Sequence, residues 1–343
     1  MKAGVLSAPE RIEIQEMEKP KIGSRDVLVR LKYCGICTLE QRMYTGQMKF
    51  SYPVIPGHEA SGIVEEIGEQ VGLLRGDLKP GTRVALDLVS RCGECYYCRT
   101  GASNLCVNRF KDGNRVLGGF GEYRAVSSKQ VFPISDALPL EAAAFAEPVA
   151  CCIRSLKKIG LSLAEDLLIV GAGPMGMMHL MVGSCMGARI FVSDPDAERL
   201  KTASRLGAYL TIDPAREDLP AIVREQTEGR GVDACVVTSP AAAALQTAFE
   251  AAAAGGRINI YTSYNEKLPL PTDANSIHRS EILVTGSEGR TEEDFLQAVR
   301  LLEFGKVDVR SLISRKIPFS DLEAGIKAAM TTSTYRVLLD HEA

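Results

Sequence analysis

The chain has 343 residues, 45 % of them hydrophobic and 24 % charged, and its 40 lysines and arginines stand against 43 acidic residues for a net charge of −3. That balance is the one a water-soluble globular protein carries, and it argues against nucleic acid or an anionic membrane as partner. The length is more than one core needs, so two domains are expected.

The first residues, MKAGVLSAPERIEIQEM, lack an apolar signal core, and no run of about 18 apolar residues is present to span a bilayer. The expected compartment is therefore the cytoplasm, where the ten cysteines should be free, buried or metal-bound. Cys151, Cys152, Cys185 and Cys235 lie in apolar sequence and are expected to pack as small hydrophobes.

In chain order, DVLVRLKYC (26–34) reads as a strand running into CGIC (34–37), and GHE (57–59) precedes a second strand at 60–68. Cys37, His58 and Glu59 offer sulfur, nitrogen and oxygen donors, and converging strand ends can bring Cys37 and His58 together. The alternative is an ordinary satisfied His–Glu pair.

RCGECYYCRTGASNLC (91–106) follows, with Cys92, Cys95, Cys98 and Cys106 spaced C-x2-C-x2-C-x7-C. Two residues between ligands let the chain curl round one ion, and Zn²⁺ takes four thiolates in a tetrahedron. An iron–sulfur cluster is the competing reading. A closed four-thiolate site leaves no position for substrate, so its role is structural.

In FAEPVACCIRSLKKIG (145–160), Pro148 suits the first helical position, which leaves Glu147 extended at the helix mouth. A carboxylate there either caps the helix or needs a cation beside it. Beyond it, the apolar strand LLIV (167–170) enters Gly171-Ala172-Gly173-Pro174-Met175-Gly176, and a helical stretch runs to Gly187. A second strand at 188–194 ends in Asp194. Strand, G-x-G-x-x-G, helix and a terminal acid together form a dinucleotide fingerprint. Asp194 is placed to accept from ribose hydroxyls and repel a 2′-phosphate, favouring NAD over NADP, while Arg199 can serve either. Strand-like runs at 232–239, which carries the cofactor candidate Thr238, at 256–263 and at 281–287 complete a doubly wound α/β pattern.

With these pieces in place, the chain resembles the zinc-dependent medium-chain dehydrogenases over essentially its whole length. The resemblance rests on CGIC, GHEASGIVEEIG, PGTRVAL, the cysteine lobe, GGFGEYRAV, Glu147-Pro148 and VGAGPMG in that order. Glu59 after His58, together with Glu147, is similar to the polyol branch of sorbitol-like, threonine and sugar-acid dehydrogenases. The resemblance implies a GroES-like, mostly-β catalytic domain over 1–150 and 288–343, with a structural zinc lobe at 91–107. It implies a Rossmann domain with a doubly wound parallel sheet over 151–287, and an active cleft between the two.

Cys37 and His58 would hold a catalytic zinc, with Glu59 and Glu147 giving the third ligand directly or through water. One of these carboxylates is expected to step back when substrate binds. Zinc with an open position lowers the pKa of a substrate hydroxyl, and its carbon passes hydride to the nicotinamide. The implied reaction is NAD-linked oxidation of a secondary alcohol in a polyol, sugar acid or similar small metabolite. A primary-alcohol enzyme of the same fold and a non-catalytic nucleotide-binding relative are the alternatives.

The chain departs from the family at Leu39, where a small hydroxyl residue is common, and at Arg42, where a histidine is frequent. Thr38, Glu59 or a zinc-bound water are the candidates to replace that proton route. Glu288 stands where sorbitol-like relatives place an arginine, and Arg290 is a residue that can swing towards substrate instead. Tyr44, Phe110 and Phe120 are candidate pocket walls. The run 279–287 resembles the edge strand through which relatives join, so a homodimer or homotetramer is expected.

Overall fold

The strand expected at 26–34 runs two residues further, as Asp26–Ile36, in the computed structural model, which describes residues 1–48, 50–109, 117–264 and 266–343. It is the hub of a seven-stranded sheet. One of its edges is covered throughout by Glu59–Ile67. The other is shared, with Tyr123–Ser127 on its first half and Arg336–Asp340 on its last four residues. Ile313–Pro318 extends the sheet beyond Arg336–Asp340, and Arg83–Asp87 and Val131–Pro133 extend it beyond Glu59–Ile67. Val29, Leu31, Val64, Leu86, Phe120 and Leu339 are among the residues of its core, all but fully removed from water. Burying an apolar side chain of this size stabilises by about 1.5–3 kcal/mol.

This sheet and the hairpin of Lys2–Ala8 with Arg11–Glu16 belong to a mostly-β unit of Met1–Ala150 and Arg290–Ala343. The second unit, Cys151–Gly289, is built on six parallel strands. Their order is Leu210–Ile212, Arg189–Ser193, Asp166–Val170, Val232–Val237, Ala252–Ile260, Leu283–Gly286. All five residues of Asp166–Val170 are buried. A central parallel strand is covered on both faces, which is why the run LLIV shows no alternation. The strand order reverses direction beside this strand, as in a doubly wound dinucleotide-binding sheet.

Three expectations need correction. The helix expected to begin at Pro148 begins at Ala146 and ends at Lys158, so Glu147 lies in its first turn rather than extended before it. Proline is tolerated there because the first N–H groups of a helix have no partner inside it to lose. The helix expected to reach Gly187 is Pro174–Cys185, stopped by a turn in which Gly187 takes φ +73°. Cys185, on that last turn, is exposed rather than packed in the core, whereas Cys151, Cys152 and Cys235 are buried. Among the described residues no helix is long and apolar enough to cross a membrane.

Candidate active site

Two strand ends bring the first site together. Cys37 follows Asp26–Ile36 as the N-cap of the helix Thr38–Tyr44. Glu59 opens the neighbouring strand and stands opposite Gly35 in the ladder. A Cβ on residue 35 would run into the Glu59 carboxylate, so the glycine is what lets that side chain lie over the strand. Cys37, His58 and Glu59 then offer ligand atoms that all lie within 4.8 Å of one another.

His58 and Glu59 are 7 % and 1 % exposed, so each needs a polar partner. His58 Nδ1 lies 2.5 Å from Glu40 Oε1, and the other oxygen of Glu40 accepts from the backbone N–H of Cys37 at 3.0 Å. This fixes the ring through Nδ1 and turns Nε2 towards the other donors, the arrangement usual for a metal-bound histidine. Glu59 pairs with the buried Arg336 at 3.1 Å. Burial pushes the Glu59 carboxyl up to about 7 even though Arg336 pulls it down. Burial also opposes a charged His58, but Glu40 and Glu147 outweigh it and hold its pKa well above the ordinary value. A divalent cation among the three donors would reverse both tendencies, favouring carboxylate and neutral imidazole.

Glu147 stands just outside this cluster. Its Oε2 is 3.9 Å from His58 Nε2, and its Oε1 is clamped by Arg290 Nη1. Arg290 reaches Asp87 with its other nitrogen at 2.7 Å, and Asp87 also binds Arg91 at 2.6 Å. In the protonation states that a divalent cation would favour, with His58 neutral and Cys37 a thiolate, the acidic groups Cys37, Glu40, Glu59, Asp87 and Glu147 are set against Arg91, Arg290 and Arg336. The excess of two negative charges is the charge of one divalent cation. Donor type, spacing and charge all fit zinc.

The other sequence candidates divide. Thr38 is exposed as the first helical residue, next to Cys37. Leu39 is half-buried against the apolar core and Arg42 is half-buried. Tyr44 is a core residue whose hydroxyl donates to Glu323 at 2.8 Å, and Phe120 is fully buried, so neither is a pocket wall. Phe110 lies outside the described residues. Arg290 is buried and held by two carboxylates instead of swinging towards substrate, and Glu288 is exposed. Glu40, Asp87, Arg91 and Arg336 were not anticipated. Of these only Glu40 had a local signal, a carboxylate three residues into a helix, where it caps the Cys37 N–H.

The second cluster is Cys92, Cys95, Cys98 and Cys106, again with ligand atoms within 4.8 Å of one another. Gly93 and Gly101 take φ +71° and +80°, a left-handed conformation that lets the lobe curl. The sulfurs of Cys92 and Cys106 are 3.5 Å apart. Four thiolates on one zinc at about 2.3 Å stand about 3.8 Å from each other. Several irons would spread the sulfurs further, so the spacing favours a single ion. Backbone N–H groups of Glu94 and Cys95 bring the Cys92 thiol down to about 6, and burial pushes Cys98 up to about 12.

In the second unit, the glycines of the G-x-G-x-x-G turn have distinct reasons. Gly171 takes φ +108°, and a Cβ there would meet Thr238 Oγ1 at 2.6 Å. A Cβ on Gly176 would strike the carbonyl of Gly171. A Cβ on Gly173 would meet only Arg199, at 3.8 Å, so that glycine leaves room for something other than protein. Gly173 caps the helix, and Pro174, which has no N–H to lose, and Met175 open it, placing a helix N-terminus of the kind that binds a pyrophosphate at the end of the glycine turn. Asp194, buried at the end of Arg189–Ser193, accepts from the N–H of Ala172 at 2.7 Å and of Asp196 at 2.9 Å. Arg199 lies 3.7 Å from its carboxylate. Thr238 donates to the carbonyl of Gly171 at 2.9 Å and so braces the turn.

Known proteins resemble this chain along its length. The sequence model of the alcohol dehydrogenase GroES-like domain matches residues 23–136, and that of the zinc-binding dehydrogenase matches 174–303. An alcohol dehydrogenase of Geobacillus stearothermophilus is 33 % identical, over 90 % of each chain. A D-arabitol-phosphate dehydrogenase of Enterococcus avium is 30 % identical over 99 % of this chain and 97 % of its own. Among solved structures, a zinc-binding dehydrogenase of Sinorhizobium meliloti bound to NADP superposes with a TM-score of 0.91 at 30 % identity, covering 99 % and 98 % of the two chains. Donor set, nucleotide turn and similarity along the whole chain lead to one assignment: the chain belongs to the zinc-dependent medium-chain dehydrogenases, in their polyol dehydrogenase branch.

Proposed function

We propose that this chain oxidises the secondary alcohol of a polyol, a sugar acid or a similar small hydroxylated metabolite, passing hydride to NAD. The observation that carries the reading is the trio Cys37, His58 and Glu59 in one chain with the G-x-G-x-x-G turn. Cys37, His58 and Glu59 would hold a catalytic zinc, and Cys92, Cys95, Cys98 and Cys106 a second, structural one. Bound zinc acidifies a coordinated hydroxyl, and the nicotinamide accepts the hydride.

The protein's own groups do the rest. Glu40 holds His58 at Nδ1 and so turns Nε2 to the metal position. Arg336 holds Glu59 and balances its charge. Thr38, exposed beside Cys37, is the hydroxyl suited to pass the proton outward in place of the residue that Leu39 replaces. Gly171, Gly173, Pro174, Met175 and Gly176 receive the pyrophosphate. The Asp194 carboxylate accepts from the ribose hydroxyls, and its charge, with Arg199 drawn to it, disfavours a 2′-phosphate. That preference for NAD stands against a relative solved with NADP.

The strand Leu283–Gly286 is an edge of its sheet with Leu283 52 % exposed, and a second copy pairing there would give a homodimer or homotetramer. Cysteine-rich ligation suits the reducing cytoplasm.

The test is reduction of NAD and of NADP against four- to six-carbon polyols, sugar acids and butanol, with metal present and after chelation. Turnover of secondary alcohols with NAD, abolished by chelation and by Cys37→Ala, is expected. A preference for butanol would move the assignment to a primary-alcohol enzyme. Full turnover by Cys37→Ala would overturn the proposed site.

A further inference from the structure

The dinucleotide-binding unit holds a buried polar row that the glycine turn does not require. His179 comes from the helix Pro174–Cys185, Ser155 from Ala146–Lys158 and Asn259 from the strand Ala252–Ile260, and all three are fully buried. Each proton in the row has one place to go. The carbonyl of Met175, 2.8 Å from His179 Nδ1, can only accept, so Nδ1 donates and Nε2 is an acceptor. The Ser155 hydroxyl, 2.8 Å from Nε2, gives its single proton there. It therefore accepts from Asn259 Nδ2 at 2.7 Å, which fixes the direction of the amide. The other proton of Asn259 Nδ2 goes to Ser287 Oγ at 3.0 Å. Ser287 accepts at this end and keeps its own proton, which nothing among the described residues takes. The amide holds this direction although its Oδ1 is buried without a partner. An orphaned acceptor is costly, so packing alone would favour an apolar residue here.

The place of Ser287 gives that proton a use. Ser193, Val170, Val237, Ile260 and Gly286 lie level across five neighbouring parallel strands. The next residue of each forms the carboxyl edge, in the order Asp194, Gly171, Thr238, Tyr261 and Ser287. A dinucleotide lies across such an edge, and its ribose at Asp194 and pyrophosphate at the glycine turn leave Tyr261 and Ser287 to its nicotinamide end. His179 packs edge-on against Tyr261, with ring centroids 4.7 Å apart, so the buried row supports both residues.

We propose that Ser287 is a binding residue for the nicotinamide, donating its hydroxyl proton to the carboxamide oxygen, and that Asn259 is the positioning residue that fixes it as a donor. The inference rests on the proposed nicotinamide cofactor and adds what recognises its reactive end. The carboxamide oxygen is the strong acceptor that this group carries, and it matches a hydroxyl whose lone pair is already taken.

The test compares NADH with ADP-ribose, which lacks only the nicotinamide, by calorimetric titration of the full-length, zinc-loaded enzyme. Ser287→Ala should weaken NADH binding about 3- to 10-fold, the worth of one hydrogen bond, and leave ADP-ribose unchanged. Ser287→Thr keeps the hydroxyl and should bind NADH like wild type. The reduced thionicotinamide analogue, whose sulfur is a weak acceptor, should lose little from Ser287→Ala. Asn259→Leu should weaken NADH by no more than Ser287→Ala does, and the double variant should be no weaker than Ser287→Ala, because Asn259 acts through Ser287. Asn259→Leu deprives Ser155 of its donor and can disturb folding, so Asn259→Ser is measured alongside. Its hydroxyl is too short to serve both serines, and the loss should again fall on NADH alone.

Equal weakening of NADH and ADP-ribose, or of neither, overturns the inference, since the row then serves only the fold. Losses that add fully in the double variant overturn the role of Asn259, and an equal loss for the thionicotinamide analogue overturns the carboxamide contact. NADH binding that none of these variants alters spares the proposed function. Wild type that binds neither NADH nor NADPH overturns both.

Discussion

His179 provides a quantitative test of the dinucleotide-binding unit that needs no ligand. It is fully buried on the helix that follows the glycine-rich turn. Its Nδ1 lies 2.8 Å from the carbonyl of Met175, which can only accept, so Nδ1 carries the proton. Its Nε2 then accepts from the Ser155 hydroxyl at 2.8 Å, and that oxygen accepts in turn from Asn259 Nδ2 at 2.7 Å. Burial brings the ring down to about 4, against 6.5 for an ordinary histidine.

The sign follows from linkage. The unfolded chain takes up the proton first as pH falls, so the stability held by neutral His179 is complete above about pH 6.5 and drains away as pH falls towards 4. Those two values give a loss of about 2 kcal/mol between pH 7.5 and pH 5, a factor of roughly 30 in the unfolding equilibrium. Urea titrations followed by circular dichroism, on wild type and His179→Gln at both pH values, isolate the term. His341 is also brought down to about 4 by burial, but it is common to both proteins and cancels in the comparison. His179→Gln should be less stable at pH 7.5, with the gap to wild type narrowing by about 2 kcal/mol at pH 5. Parallel losses in the two proteins would refute the argument that a neutral imidazole is locked in this network.

Three further predictions concern the sites. Gly176→Ala should destabilise by about 1–3 kcal/mol through overpacking against the Gly171 carbonyl, whereas Gly173→Ala should leave the melting temperature nearly unchanged and weaken NAD binding; calorimetry and cofactor titration separate the two. Cys98→Ser should reduce the metal measured by plasma emission from about two equivalents per chain to about one, since structural zinc needs all four thiolates; an unchanged content would remove the four-cysteine site. If copies pair through the edge strand Leu283–Gly286 as proposed, Leu283→Lys should lower the mass seen in light scattering, because a charge on an edge strand blocks pairing; an unaltered mass would refute pairing at that edge.

Some of this was legible before the structure because it is local. The C-x2-C-x2-C spacing closes on itself within one short lobe. The strand, glycine turn, helix and terminal acid all fall within one stretch of some thirty residues, and their geometry is fixed by neighbours in the chain. Glu147 was misread for a local reason as well. Pro148 suits an N1 position, but proline is allowed anywhere in the first turn, and the preceding Ala146 extended the helix.

What the residues could not disclose is which charges meet. Glu59 finds Arg336 across most of the length of the chain, and Glu147 finds Arg290 from a distant segment. Asp87 is an ordinary strand-end acid until Arg91 and Arg290 enclose it. A buried carboxylate must have a cation, so sequence can state the need. Which arginine meets it depends on the antiparallel ladder that sets Arg336–Asp340 beside Asp26–Ile36 and on the return of the chain at Arg290, and those are properties of the folded sheet alone. Sequence by itself determined the kinds of donor and the nucleotide turn, because both depend on short spacing. Tertiary structure decided which arginine meets each buried acid, because those charges are brought together only by folding.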